Sequence, residues 1–272
     1  MMLSPTLTPI TTDAAPAPSR LAPVQEVFSS IQGEGLVVGY RQLFVRFAHC
    51  HLKCAYCDTP MHTPTGEAFV YPVSGMGSPN ALPNPLTPDA FSDVILQALS
   101  QARHHSISLT GGEPLLYTDF LCEVAPVLSA ACPLYLETSG TQPDRLAKLL
   151  PWLRYVAMDI KLPSATQEAP QFEAHTAFYK VLASAPHVVP FIKVVFDGTI
   201  AEDELAAIER IVTNRATPIF LQPMTHHTLP EGGGETTIAC DAPTVLGLME
   251  RLGQTFSEVR VVPQTHKMLK VQ

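Results

Sequence analysis

A chain of 272 residues with 46% hydrophobic residues is long enough to bury a substantial core within one domain. Its 17 basic residues against 25 acidic ones give a formal charge of -8, so no broad positive surface favours a nucleic-acid backbone or an anionic membrane, and a small-molecule substrate is expected. Of the six cysteines, Cys50, Cys54 and Cys57 crowd together while Cys122, Cys132 and Cys240 are scattered, a layout that excludes a disulfide framework and points to metal binding.

Residues 1–23 are rich in Pro, Thr, Ser and Ala, without the basic and apolar blocks of a secretory signal or the arginines of a typical transit peptide, and are expected to form a disordered leader. No apolar run is long enough to cross a bilayer, so the expected location is the cytoplasm. One domain is expected over 24–272. Within it, 43–47, 106–109, 134–137, 155–158, 191–196, 219–221 and 259–262 read as strands, whereas 89–102 and 202–213 place apolar residues at helical spacing. Residues 60–88, crowded with Pro, Gly, Ser and Asn, hold neither period and are expected to be an insertion, either a long surface loop or a lid. Strand–helix alternation implies parallel strands with crossover helices. The fold class expected is therefore α/β, an incomplete, modified (β/α) barrel with its site at the carboxyl ends of the strands.

The chemistry concentrates in Phe44-Val-Arg-Phe-Ala-His-Cys50-His-Leu-Lys-Cys54-Ala-Tyr-Cys57-Asp-Thr59, where a strand delivers the chain to a loop of three thiols. By residue type alone, three thiolates suit an iron–sulfur cluster with one iron left open, or a zinc ion completed by His49 or His51. Later strands end in groups fit for a ligand. Thr110-Gly-Gly-Glu-Pro114 has paired glycines that let backbone approach closely, and it is followed by Glu137-Thr-Ser-Gly-Thr141, Asp159-Ile-Lys161 and Gln222-Pro-Met-Thr225.

The spacing Cys-x3-Cys-x2-Cys, with Tyr56 before the last cysteine, resembles the signature of the radical S-adenosylmethionine (SAM) superfamily. That resemblance implies a 4Fe-4S cluster on Cys50, Cys54 and Cys57, with SAM chelating the open iron and cleaved there to a deoxyadenosyl radical. Gly-Gly-Glu-Pro recurs in such enzymes at the SAM amino group. The ordered set of Glu26 to Gly35 with its Ile-Gln-Gly-Glu-Gly, Arg46, the cysteine run, Thr110 to Pro114, Glu137 to Thr141, Gln222 to Met224 and Gln264-Thr-His-Lys267 is similar to 7-carboxy-7-deazaguanine synthases, over about 24–272.

The resemblance implies a lyase that converts 6-carboxy-5,6,7,8-tetrahydropterin to 7-carboxy-7-deazaguanine with loss of ammonia, towards the queuosine precursor. It also implies a homodimer served by an external electron donor such as flavodoxin or ferredoxin, without direct nucleic-acid or membrane contact. Carried over by position, Ile31, Gln32, Gly33, Arg46, Thr110 and Gln272 would bind the pterin, with the paired donors of Arg46 on its carboxylate. Tyr56, Cys57, Asp58, Gly112, Glu113, Asp159, Ile160, Lys161, Gln222, Pro223, Met224 and Thr225 would surround SAM. Thr59 would offer a hydroxyl to Mg2+, and Glu34 and His266 would be catalytic. The leader and the 60–88 insertion are longer than the family plan needs. Two alternatives are an activating enzyme for glycyl-radical proteins, which Asp-Ile-Lys also resembles, and a zinc-stabilised, non-enzymatic binding module.

Overall fold

The computed structural model describes residues 21–57, 59, 66–228, 235–238, 240–269 and 271. The leader to residue 20, Asp58, the first part of the insertion and Gln272 lie outside the described residues. In chain order the strands and helices are β1 (Val24–Ile31), β2 (Arg41–Phe47), β3 (Glu67–Val70), β4 (Asn80–Pro83), α1 (Pro88–Gln101), β5 (Ser106–Gly111), α2 (Thr118–Ala131), β6 (Leu134–Thr138), α3 (Pro143–Leu149), β7 (Leu153–Asp159) and α4 (Pro163–Thr166). They continue with α5 (Phe172–Ala183), β8 (Val189–Phe196), α6 (Glu202–Ile211), β9 (Ile219–Pro223), β10 (Thr225–Thr228), β11 (Glu235–Ile238), α7 (Ala242–Gly253), β12 (Val259–Val261) and α8 (Thr265–Leu269).

One sheet runs in the order β12-β9-β8-β7-β6-β5-β2-β1-β3-β4. All seven strands expected from the sequence are present, and from β2 to β12 each neighbouring pair is parallel. β12 and β4 are opposite edges of this sheet and do not pair, so the barrel is incomplete. Each crossover helix presents an apolar stripe, such as Phe91 and Ile95 of α1 or Leu205 and Ile208 of α6, to the outer face of the sheet. α1 starts at the expected place because the Thr87 hydroxyl accepts from Ala90 N and Pro88 occupies the first turn, where a missing N–H costs nothing.

The insertion departs from expectation. Its described part, from Gly66, contains the hairpin β3–β4, which adds to the sheet through a parallel pairing of β3 with β1. The Asn84 side chain bonds both N and O of Val24, and Ala68, Val73 and Leu86 are buried. A four-residue strand between prolines shows no period in sequence and is defined by its partner. The leader also ends earlier than expected, since Ala22 is buried and bridged to Leu86. β1 itself carries no strand signal beyond its apolar positions and is held antiparallel to β2.

Side-chain alternation divides the parallel strands into two faces. Leu136, Val156, Met158, Ile192, Val194 and Leu221 face the helices, while Tyr135, Ala157, Phe191 and Phe220 pack with Val37 inside the barrel. Two residues beyond this inner plug on each strand stand Glu137, Asp159, Lys193 and Gln222. The polar carboxyl ends of the strands therefore rest on an apolar floor.

Candidate active site

These ends open into a cavity of about 660 Å³, within the range of small-molecule sites. The cysteine loop forms one wall, with Cys50 and Cys54 half-buried and Cys57 exposed. Its course is set by backbone. Ala55 N donates to Thr166 O (2.9 Å) and Lys53 N to Glu168 Oε1 (2.8 Å), while the glycine segment after β5 is laced on from the other side by Gly112 N to Phe47 O (2.9 Å) and Glu113 N to His49 O (2.8 Å). A Cβ on Gly112 would overlap the His49 carbonyl, so glycine is needed there for close approach. Burial pushes the Cys50 thiol up and Cys54 to about 11, so both keep their protons until a metal displaces them.

Glu113 faces the other way. Its carboxylate is fully buried and accepts from Leu115 N (3.1 Å), Thr138 Oγ1 (2.9 Å), Ser139 N (2.8 Å) and Ser139 Oγ (2.6 Å). It ties the end of β5 to the end of β6 and does not line the cavity. This corrects the cofactor-binding role expected from the sequence.

A row of alternating charges crosses the cavity wall. Tyr56 OH accepts from Lys161 Nζ (3.0 Å), which also bonds Asp159 Oδ2 (2.7 Å); Lys193 Nζ lies 3.5 Å from the same oxygen and 2.8 Å from Glu34 Oε2. Gln264 Nε2 reaches Glu34 Oε1 (3.1 Å). Burial would raise the Glu34 carboxyl, but Lys193, Gln264 and His266 outweigh it and hold it at about 2. Burial likewise opposes the charges of Lys161 and Lys193, and the adjoining carboxylates hold both well above the usual lysine value. A carboxylate so held is an acceptor and an anchor, and Glu34 is therefore no proton donor.

The two motifs at the ends of the domain meet here. Thr265 donates through N (3.1 Å) and Oγ1 (2.9 Å) to Gly33 O, and His266 lies so close that a Cβ on Gly33 would overlap it. Gly33→Ala is expected to push α8 away and lower turnover of the substrate about 100-fold, the usual cost of a 1 Å misplacement, while cluster loading and substrate-independent SAM cleavage persist. Steady-state kinetics beside a SAM-cleavage assay checks this, and equal loss of both activities would show that the contact only supports the fold.

Of the residues expected at the site, Ile31, Gly33, Glu34, Arg46, the three cysteines, Tyr56, Thr59, Thr110, Gly112, Asp159, Lys161, Gln222, Met224, Thr225 and His266 line one cavity. Gln32, Ile160 and Pro223 do not. The Gln32 amide is buried between Gln42 Oε1 and Glu137 Oε1 (both 2.9 Å), and Ile160 and Pro223 are the outward positions of strands whose neighbours face in. Asp58 and Gln272 lie outside the described residues. Arg46 bonds Glu26 through Nε (2.7 Å) and rests over the Phe28 ring (5.6 Å), which is itself stacked on Phe44.

Lys193 has no role in the sequence expectations, and Glu26 and Glu137 enter them only as parts of segments. Glu137 organises the floor by accepting from Gln32, Ser108 and Thr110. A signal for Lys193 existed, because a lone lysine in the strand Phe-Ile-Lys-Val-Val-Phe is buried only if it is paired.

The donor set fits the implied groups. Cys50, Cys54 and Cys57 share one wall of the cavity, and thiolates are the ligands a 4Fe-4S cluster takes. Asp159 and Gln222 line the cavity, and each keeps one buried side-chain oxygen without a hydrogen-bond partner among the described residues.

Residues 44–181 match the radical SAM superfamily. The chain is 34% identical over 252 residues to 7-carboxy-7-deazaguanine synthase from Geobacter sulfurreducens, covering 91% of this chain and 97% of that one. Its identity to the 7-carboxy-7-deazaguanine synthase of Archaeoglobus fulgidus is 32% over 249 residues, with the same coverage. The crystal structure of QueE from Escherichia coli superposes with a TM-score of 0.52 at 16% identity, over 90% of this chain and 94% of that one, which supports the fold.

Proposed function

The chain belongs to the 7-carboxy-7-deazaguanine synthase family of radical SAM enzymes, and from that premise we propose how its residues serve the conversion of 6-carboxy-5,6,7,8-tetrahydropterin to 7-carboxy-7-deazaguanine with loss of ammonia. The observation that carries the proposal is one cavity lined by three cysteines, the strand-end residues Asp159 and Gln222, and an arginine. Cys50, Cys54 and Cys57 would hold the 4Fe-4S cluster. When bound, the cluster and SAM supply the reductive sulfonium cleavage that starts hydrogen abstraction from the substrate. Asp159, Gln222 and the Gly112 backbone would hold SAM, with Tyr56 and Lys161 keeping Asp159 in place.

Arg46 binds the pterin carboxylate, and Glu137, already accepting from Thr110, presents an acceptor to the N–H edge of the ring. Thr59 would offer its hydroxyl to Mg2+, a cation that takes few protein ligands. Glu34 stays ionised and orients, so proton transfer falls to His266, whose ring nitrogens can both give and accept. A second copy of the chain and a flavodoxin or ferredoxin donor complete the proposed assembly, working in the cytoplasm. No helix of the described residues is long and apolar enough to cross a membrane.

The test is anaerobic reconstitution with reductant, SAM and the carboxypterin, followed by product identification. A chain that loads its cluster and cleaves SAM but leaves the pterin untouched would defeat the proposal, and activity on a partner polypeptide instead would make it an activating enzyme. Arg46→Lys keeps the charge and loses the fork. It is expected to raise the pterin KM by about 10-fold or more with uncoupled SAM cleavage unchanged. Unchanged pterin kinetics would remove Arg46 from the site and leave it as the partner of Glu26.

A further inference from the structure

Among the described residues, Lys193 is the cation that joins the two halves of the charge row. It stands on β8 opposite Asp159 of β7, and its own carbonyl accepts from Ile160 N (2.9 Å), so its backbone is fixed on both sides. One side of its ammonium faces Asp159, which belongs with Lys161 and Tyr56 on the SAM side. The other faces Glu34, which belongs with Gly33, Gln264 and His266 on the opposite side. Both side chains of the Lys193–Glu34 pair are about 15% exposed or less, so the attraction is little screened. Asp159 has a second, closer cation in Lys161 at 2.7 Å, whereas Glu34 has no other lysine or arginine partner among the described residues and takes only the Gln264 amide and the neighbouring His266.

We infer that Lys193 is a positioning residue for the pterin: its ammonium holds the Glu34 carboxylate, and with it the Gly33 turn, against the C-terminal Gln264–His266 segment. The inference rests on the function proposed above. Without the ammonium, Glu34 and Asp159 become two buried carboxylates on adjoining walls of the cavity. Asp159 keeps Lys161, and Glu34 either turns outward or takes a proton. The groups that face this pair are Glu137 on β6, Tyr135 below it, Lys161 after β7 and His266 on α8. Of these, only His266 is placed to offset the loss, so the effect falls on the pterin side.

In the wild type Glu34 is lowered from 4.5 to about 2, so the carboxylate contributes fully above pH 4.5 and its contribution fades only as pH falls from there towards 2. With Lys193 gone, burial is opposed only by Gln264 and His266, and the same fading moves to higher pH.

The test measures pterin and SAM affinities by calorimetry on cluster-loaded protein between about pH 5 and 8, for wild type, Lys193→Met and Lys193→Arg. Lys193→Met is expected to weaken pterin binding about 30-fold at neutral pH and leave SAM within about 3-fold, because Asp159 keeps its closer cation. Its pterin affinity should also fall further towards pH 5 relative to wild type, a slope that any contribution common to both proteins from His266 cannot produce. Lys193→Arg should recover most of the affinity. Wild-type pterin affinity in Lys193→Met, or equal loss of pterin and SAM with no change of pH slope, overturns the inference. If Lys193→Met does not load its cluster, Glu34→Gln and Glu34→Gln/Lys193→Met decide it: the double variant should bind pterin no worse than the single, and independent multiplication of the two losses refutes the coupling. A wild type inert towards the pterin would instead refute the function proposed above.

Discussion

Cys50→Ala, Cys54→Ala and Cys57→Ala are each expected to abolish SAM cleavage and sharply reduce bound iron and sulfide, while Cys122→Ala leaves both unchanged. Three thiolates would hold the cluster, each on its own iron, so a remaining pair would not do the work of three. Nearby side chains cannot substitute. His49 Nδ1 is bonded to Tyr117 OH (2.9 Å), and His51 is held by Thr141 Oγ1 (2.8 Å) and Gln142 Nε2 (3.1 Å). Cys122 sits on α2, on the helical side of the sheet, and does not line the cavity. Iron and sulfide analysis with chromatographic detection of deoxyadenosine decides the matter. Full SAM cleavage by any of the three variants would end the assignment of the cluster to this loop.

Glu113→Ala is expected to cost about 3–5 kcal/mol of stability, which lowers Tm by about 10 °C for a domain of this size. Truncation removes the acceptor of four hydrogen bonds at a fully buried position and leaves Ser139 N, Ser139 Oγ, Thr138 Oγ1 and Leu115 N facing a cavity. The loss also loosens the backbone that laces the glycine segment to the cysteine loop through Glu113 N and Gly112 N. Cluster retention should fall in step with stability. Calorimetric melting checks the first effect and iron content the second. A variant that melts like wild type but binds SAM weakly would restore Glu113 to the SAM contacts and make its burial incidental.

Several features were legible because their causes are local. Cys50, Cys54 and Cys57 are ligands by spacing along a single loop, and the parallel strands from β2 to β12 announce themselves as β-rich runs separated by helical periods. Ile160 and Pro223, expected at the SAM site and outside the cavity lining, also obey a local rule. Asp159, Ile160 and Lys161 alternate in, out and in, as do Gln222, Pro223 and Met224, so period-2 reasoning applied to each strand end would have turned Ile160 and Pro223 away from the cavity. The hairpin β3–β4 had no such local cause. Its strands are four residues each among prolines, and they exist by pairing with β1 and burying Ala68.

By itself the sequence determined the α/β alternation, the three-thiol loop, the order of ligand-bearing strand ends and hence the family, all of which are properties of residue type and spacing along the chain. The tertiary structure decided which of those residues share the cavity and what each is free to do. Glu113 and Glu137 are both acids at strand ends, yet one is consumed by four buried donors and the other faces the cavity. Lys193 reaches Glu34 across 159 positions and Gln264 reaches it across 230, so the state of that carboxylate is set by partners that no window of sequence contains. The reason is physical: burial and Coulomb attraction depend on distance in space, and only closure of the sheet brings those charges within 3 Å or so of one another.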